Sequence, residues 1–290
     1  MKKRQFYLLA SLGLALTINQ SSAIDLQPGD LVALPAGLNL VQMSYLKSEY
    51  GDLYTQGRKL PSDTKIDSTQ LIARVGRTFE IDHHPAIFYV QTPVGFLHPG
   101  NALSGYQGDS GVGDTTMLLA FWPYANREEK RYVALGAYLT VPTGSYDASR
   151  LFNMGENRYK SSFQAGYSTA ISDKFTWSLA ADATWFADNN NYLPGHYKRE
   201  QDALMTLQTA LQYRINPTYA IGGTYFFTSG GETSLDGIDQ NDTTKLQRFQ
   251  LTATGQYAFG RLTIQYGKDL TTENGFTEDS RWILHYTKLF

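Results

Sequence analysis

The chain has 290 residues, no cysteine and a formal net charge of −2. Its mild acidity argues against a nucleic-acid partner, which needs a basic face, and the lack of cysteine excludes disulfides and thiolate chemistry. The mean hydropathy is −0.35, and beyond residue 23 no apolar run reaches the ~18 residues of a membrane-spanning helix. The composition therefore excludes a helical membrane protein.

The first 23 residues have the layout of a secretory signal peptide. Three basic residues at positions 2–4 precede an apolar run over residues 6–18 and the small-x-small sequence Ser21-Ser-Ala23. A basic region, an apolar core and such a cleavage site together direct a protein to secretion. We therefore predict a signal peptide over residues 1–23, with a buried N-terminal helix as the weaker alternative.

The next segment, residues 24–37, is interrupted twice, by Pro28-Gly29 and by Pro35-Ala-Gly37. Proline and glycine punctuate local structure, so a long strand is not expected here. The segment is predicted to be either a simple tail or a plug inside a lumen.

From residue 38 onward, apolar residues recur at alternate positions. A period of two predicts strands with one apolar and one polar face. In the stretch 132–141 the apolar set is Val133, Leu135, Ala137, Leu139 and Val141. We predict twelve strands, at residues 39–50, 69–81, 87–97, 115–124, 132–141, 162–170, 175–186, 203–213, 218–227, 245–257, 262–268 and 281–290.

The predicted connections alternate between long loops and short turns. The short turns, which lie on the same side as both termini, are residues 82–85, 125–130, 171–174, 214–217 and 258–261. This sidedness is typical of outer-membrane barrels, whereas a soluble lipocalin-type barrel has fewer strands and no such asymmetry. The sequence therefore predicts an all-β protein, an antiparallel transmembrane β-barrel of about 12 strands over residues 38–290.

Aromatic residues gather near the predicted strand ends, where amphipathic rings settle at the lipid–water boundary. They include Trp122, Tyr124, Tyr132, Trp185, Phe186, Tyr213, Tyr219, Phe226, Phe227, Tyr257, Phe259 and Trp282. The chain ends on Phe290, in phase with Leu284 and Tyr286, as in the C-terminal signal that the barrel-insertion machinery reads; Lys288 departs from that pattern. We therefore expect outer-membrane lipid and the insertion machinery as partners.

Polar and charged residues opposite the apolar faces are candidates for lining the lumen. They are Arg74, Glu80, Asp182, Gln208, Gln212, Arg248 and Gln250. Charges of both signs inside a barrel either pair and stiffen it or filter solutes, and both interpretations stay open. Pro93 cannot donate to a strand ladder, which suggests an irregular wall or a lateral gap.

The histidines give little indication of a metal site or a catalytic site. His83-His84 falls in a tight turn, where simple exposure is favoured over metal binding. His285 lies in phase with Arg281 and Thr287, on the predicted inner face. Because an outer-membrane lipase needs its Ser–His pair on the lipid-facing side, a lipid-modifying enzyme is the least favoured function. The sequence indicates no catalytic residue, no metal site and no cofactor.

The segment Gly108–Asp114 has the glycines of a phosphate-binding loop, but no helix pattern follows, so that mechanism fails. We interpret it as a turn in which Asp114 accepts hydrogen bonds from turn amides.

Several short motifs, taken together, resemble one bacterial family. In order they are Pro28-Gly-Asp30, Leu34-Pro-Ala-Gly37, Gly111-Val-Gly-Asp114, Val141-Pro-Thr-Gly-Ser-Tyr-Asp147 and Asn153-Met-Gly-Glu-Asn157. This series resembles the outer-membrane proteins grouped as "putative meta-pathway of phenol degradation". The resemblance implies a barrel related to channels for fatty acids and aromatic hydrocarbons, relatives in which an N-terminal segment plugs the lumen. It assigns no ligand residue.

Two functions of different classes are predicted. The first is a channel for passive uptake of small, hydrophobic or aromatic solutes, with residues 24–37 as a constriction. The second is a structural or surface-interaction barrel with a closed lumen, whose long loops bind partners. Those loops are residues 54–67, 98–114, 145–160 and 228–244.

Overall fold

A computed structural model describes residues 25–290, so the predicted signal peptide lies outside the described residues. Twelve strands form the barrel wall: β1 Asn39–Thr55, β2 Thr64–Ile81, β3 His84–Asn101, β4 Thr115–Asn126, β5 Arg131–Val141, β6 Lys160–Ala170, β7 Phe175–Phe186, β8 Leu204–Arg214, β9 Tyr219–Gly230, β10 Thr244–Tyr257, β11 Gly260–Thr272 and β12 Gly275–Leu289. Each strand pairs antiparallel with its neighbours in sequence. Within residues 25–290 no helix is long and apolar enough to cross a membrane.

The pairing of β1 with β12 closes the barrel. Leu40 lies opposite Leu289, and the register runs without a shift as far as Glu49 opposite Ser280. At the seam the amide of Asn39 donates to the carbonyl of Phe290 over 2.7 Å, and the amide of Phe290 donates back over 3.1 Å. Closure leaves no open sheet edge, which is the condition for a β-structure to cross a bilayer.

The two faces of the wall are inverted relative to a water-soluble protein. Val75 and Leu251 on the outer face are 57% and 56% exposed, whereas Ser68 and Gln208 on the inner face are 1% and 2% exposed. Large apolar side chains face outward because lipid is the solvent there, and polar ones face inward. The predicted fold class, a closed antiparallel barrel of twelve strands, is confirmed.

Strands at the long-loop end, which we call the loop end, run further than their apolar alternation indicates. The predicted end of one strand at residue 268 and start of the next at residue 281 are wrong, since only residues 273–274 separate β11 from β12. The added residues are mostly polar, and they stay extended because of backbone pairing and local packing, as where Leu53 lies opposite Phe276. Short strands at 58–59 and 109–112 and a separate four-stranded sheet (189–192, 197–201, 233–235, 238–239) complete this end.

The short turns gather at the opposite end, the turn end. Between β2 and β3 the turn is Asp82-His83, with φ of 47° and 65°. Two positive φ values are what a two-residue hairpin turn requires. His84 belongs to the strand, and its ring meets the ring of Phe121 edge-on at 6.0 Å.

Part of the predicted aromatic girdle lies inside the barrel instead. Trp122, Tyr132 and Phe226 are buried, at 5%, 6% and 2% exposure. They follow the inward phase of their strands, and a register shift between Phe121 and Tyr124 then turns Tyr124 outward. Position near a strand end does not decide which face a ring occupies.

Pro93 does not open the wall. Ile72 pairs with it on one side, and on the other its carbonyl accepts a hydrogen bond of 2.8 Å from the amide of Gly113. The regular β3–β4 ladder ends at Gln91 opposite Thr116, and the strand 109–112 resumes the pairing. The irregularity predicted from proline is a break in register that hydrogen bonds bridge.

Candidate functional site in the barrel interior

The interior holds the chain's own residues 25–38, which we call the N-terminal segment. Leu26, Leu31 and Ala33 are buried among inward-facing side chains of the wall. Trp122 Nε1 donates to the carbonyl of Leu31 over 2.8 Å, and the amide of Leu26 donates to Gln208 Oε1 over 2.9 Å. The segment therefore contacts both β4 and β8, strands far apart around the barrel.

Two glycines of the wall make room for this segment. A Cβ atom on Gly166 would lie 2.6 Å from a methyl of Leu31, and one on Gly222 would lie 2.8 Å from the ring of Pro28. Real Cβ atoms do not approach other heavy atoms so closely, so a larger residue at position 166 would push the Leu31 side chain aside, and one at position 222 would collide with the rigid ring of Pro28. Glycine in a strand interior otherwise weakens the strand, and close backbone approach is a common reason for it.

A buried ion cluster fixes the start of the segment. Asp25 Oδ2 lies 2.5 Å from Arg248 Nη2 and 3.1 Å from Arg281 Nη1. Arg281 also pairs with Glu278 over 2.8 Å, and Arg248 stacks on the ring of Phe226 at 4.3 Å. Buried charges are costly unless they are paired, so Arg248 depends on Asp25 for its ion pair, whereas Arg281 has Glu278 as a second partner.

His285 joins the segment to the wall through neutral groups. Its Nδ1 lies 2.6 Å from Ser44 Oγ and 2.9 Å from Gln42 Nε2. Its Nε2 lies 2.9 Å from Gln265 Oε1 and 3.1 Å from Gln27 Nε2. The pair with Ser44 is on the inner face and is buried, so it does not form the lipid-facing Ser–His site considered above.

Between the segment and the wall there is a cavity of about 160 Å³. Its polar side includes Gln42, Arg74 and Gln91, and its apolar side includes Tyr89 and Leu118. A space of this size takes a single small molecule, since about 150 Å³ is enough for benzene.

The loop between β5 and β6, residues 142–159, fills the loop end, and we call it the loop-end cap. Phe152 and Met154 are almost wholly buried, at 1% and 0% exposure, in a cluster with Tyr50, Leu53 and Phe276. These partners belong to β1 and β12, so the cap reaches far from its own strands and covers the interior.

Two carboxylates from the Gly108–Asp114 motif hold the cap. Asp114 accepts the amides of Gly144 and Glu156 over 2.9 and 2.8 Å, and Asp109 accepts the amide of Met154 over 2.8 Å. Asp114 accepts backbone amides, as predicted, but the amides belong to the cap and not to its own turn, and residues 109–112 form a short strand where the sequence predicts a turn. Burial raises the pKa of the Asp114 carboxyl.

Glu156 centres a second cluster of charges in the cap. Arg158 Nη2 and Lys160 Nζ each lie 2.7 Å from its carboxylate. Burial disfavours the charged carboxylate, but the attraction of Lys160 and Arg158 outweighs it and holds the pKa of Glu156 well below its usual value. Arg158 also lies 4.5 Å from the ring of Phe186, the residue of the neighbouring strand β7 that pairs with Lys160.

The residues predicted to line the lumen divide into three groups. Four are buried in the interior: Asp182, Gln208, Arg248 and Gln250. Two are partly exposed and bond to interior groups: Arg74 and Gln212. Glu80 is exposed opposite Pro85, beside the turn-end hairpin, because inward phase does not fix depth along the barrel. That the interior residues line a solute path stays a prediction.

Sequence reasoning missed Asp25, Gln42 and Gln265 as interior groups. The alternation of β1 and β11 carries the signal for both glutamines. For Asp25 the only signal in the sequence is its place just after the predicted cleavage site, since an irregular segment has no periodicity.

A family model described as "Putative MetA-pathway of phenol degradation" matches residues 52–284. No curated protein matches the chain by sequence. Among solved structures, the COG4313 outer membrane channel from Pseudomonas putida F1 is 31% identical, with a TM-score of 0.88; the match covers 92% of this chain and 100% of the channel.

Two more distant structures share the fold alone. The β domain of the Bordetella autotransporter BrkA is 9% identical with a TM-score of 0.56, over 88% of this chain and 100% of that one. The transport unit of the autotransporter AIDA-I from Escherichia coli is 8% identical with a TM-score of 0.51, over 97% and 99%. From the closed barrel, the inverted faces and the family match, this chain is an outer-membrane β-barrel protein that belongs to the "Putative MetA-pathway of phenol degradation" family.

Proposed function

We propose that the protein is an outer-membrane channel for small hydrophobic or aromatic solutes, which cross it passively along their own gradient. The observation that carries this proposal is the cavity of about 160 Å³ between the N-terminal segment and the wall, with aromatic and aliphatic residues on one side. The relative of 31% identity is described as an outer membrane channel, which supports the same class of function.

In this proposal the N-terminal segment is a constriction. It contacts strands around the whole interior, so a solute cannot pass from the loop end to the turn end unless the segment shifts. Its few ionic and hydrogen-bonded anchors make such a shift feasible without unfolding the wall.

The test is single-channel conductance in planar bilayers, together with toluene flux into proteoliposomes that contain lipopolysaccharide, because a plain phospholipid bilayer lets toluene cross unaided. Deleting residues 25–37 should raise conductance, and wild-type vesicles should admit toluene faster than protein-free vesicles. Unchanged conductance in the deletion variant would contradict the constricting role of the segment. Toluene flux equal to that of protein-free vesicles would contradict the channel function.

A second candidate is a structural or surface-interaction barrel. One observation favours it: the segment and the loop-end cap both occupy the interior, so two obstacles lie in series. Wild-type and deletion proteins that fold but neither conduct nor pass toluene would select this function.

A further inference from the structure

Arg74 lines the cavity and, within residues 25–290, forms no ion pair with a carboxylate, a property it shares with Arg261 of the same cavity. Arg74 lies on the inner face of β2, and its guanidinium stacks on the ring of Tyr89 at 4.3 Å. Its Nε donates to Gln91 Oε1 over 2.9 Å and its Nη1 donates to Gln42 Oε1 over 3.2 Å. The two strands that flank β2, β1 and β3, therefore hold this side chain in a defined orientation.

Those contacts orient the charge without neutralising it. Among residues 25–290, no carboxylate lies within 4.0 Å of the Arg74 guanidinium, whereas Arg248 and Arg281 both pair with Asp25. A guanidinium carries five N–H donors, and the two amide oxygens occupy two of them. A positive charge held in a partly desolvated site with donors to spare is suited to an anion, above all to a planar carboxylate.

The cavity beside Arg74 supplies the rest of a binding site. Ile87, Leu118 and Tyr138 line it together with Tyr89, so an apolar body has aromatic and aliphatic contacts. Its volume of about 160 Å³ fits one six-membered ring, given that about 150 Å³ accommodates benzene.

We propose that Arg74 and this cavity form a binding site for a small aromatic carboxylate, such as benzoate. The carboxylate of the ligand accepts hydrogen bonds from the Arg74 guanidinium, and the ring of the ligand packs against the apolar side of the cavity. This inference rests on the proposed channel function and narrows it, because it selects amphipathic organic anions over neutral hydrocarbons.

Asp30 of the N-terminal segment is an acidic side chain that faces the same cavity as Arg74. Its Oδ2 accepts the amide of Gln27 over 3.0 Å. Its negative charge opposes an incoming carboxylate. Asp30→Asn keeps an oxygen acceptor for Gln27 and removes the repulsion, so it should strengthen benzoate binding by about two- to threefold.

The experiment is calorimetric titration of the detergent-solubilised protein with sodium benzoate and with benzyl alcohol, a neutral molecule of similar size. Benzoate should bind about tenfold more tightly than benzyl alcohol, and Arg74→Gln should abolish that preference by weakening benzoate alone. Arg77→Gln is the matched control, because Arg77 lies on the same strand and is exposed, with a bond of 3.1 Å to Asn39. Folding of each variant is checked by its heat-dependent mobility in electrophoresis.

Equal binding of benzoate and benzyl alcohol by the wild type, or unchanged benzoate binding by folded Arg74→Gln, would overturn the proposal. If Arg74→Gln does not fold, weaker benzoate binding by Asp30→Asn would overturn it instead. Toluene flux through wild-type vesicles separates the two claims: flux without benzoate preference leaves the channel standing and removes only the anion site.

Discussion

Two parts of the chain lie inside the barrel, and they are held by different sets of interactions. The N-terminal segment is anchored by the ion cluster of Asp25, by hydrogen bonds such as that from Trp122, and by its buried aliphatic side chains. The loop-end cap is anchored by the buried side chains of Phe152 and Met154, and by carboxylates that accept its backbone amides. The buried ion cluster distinguishes the segment, and the buried aromatic ring distinguishes the cap.

This difference indicates which of the two moves more easily. Packing a side chain such as Phe152 contributes several kcal/mol that no single contact replaces. Neither the segment nor the cap is paired as a strand, but the segment buries only aliphatic side chains, and its polar anchors are separate contacts that can break one at a time. Regions that bury less apolar surface open at lower free energy than the rest of a fold. We therefore expect the segment to move before the cap does.

The largest effect is expected from Phe152→Ala, which leaves a cavity in the cap. Truncating a buried phenylalanine costs about 3–5 kcal/mol, and the side chain is 1% exposed. Hydrogen exchange of the Met154 amide should therefore accelerate by about a hundredfold or more. Tyr159→Ala, in the same loop but 56% exposed, is the control. Equal exchange in the two variants would show that packing does not hold the cap.

A smaller effect is expected from Asp25→Asn, which removes the counter-charge of two buried arginines. Breaking a buried ion pair costs about 3–5 kcal/mol, but Arg281 keeps Glu278 as a partner, so we expect about 3 kcal/mol. The segment should detach and conductance should rise, while exchange of the cap amides stays unchanged. Glu80→Gln removes an exposed carboxylate and should leave conductance as it was. A rise in both variants would point to net charge instead of the ion cluster.

The barrel follows from the sequence because its rules are periodic. Apolar alternation places the wall strands and gives the inward phase of Arg248 and His285, since lipid on one side forces a period of two. The sequences of the N-terminal segment and the loop-end cap have no such period. Asp25 meets Arg248 across 223 positions of sequence, and nothing local in either residue specifies the other. The sequence shows the glycines and carboxylates of the cap, but not why they are there. The structure gives the reason for two of the glycines: a Cβ atom added to Gly144 would lie 2.6 Å from the Cα atom of Gly155.

The smallest predicted effect concerns the charges of the cap. In an opened cap Glu156 regains its usual pKa of 4.5, whereas in the closed cap Lys160 and Arg158 hold the pKa of that carboxyl far lower. The opened state then binds more protons below about pH 4.5, so acid should favour opening, and above about pH 5 this group gives no pH dependence.

Asp114 acts in the opposite direction, because burial raises its pKa above the usual 3.8 and the closed cap takes up its proton first. Exchange of the Met154 amide, corrected for its intrinsic pH dependence, should therefore speed up modestly between about pH 5 and pH 3 in the wild type. Glu156→Gln leaves the contribution of Asp114 and that of Asp147, whose pKa is lowered by hydrogen bonds from Ser149, so its acid-induced acceleration should be weaker than in the wild type. The same acid response in both proteins would mean that Glu156 does not hold the cap.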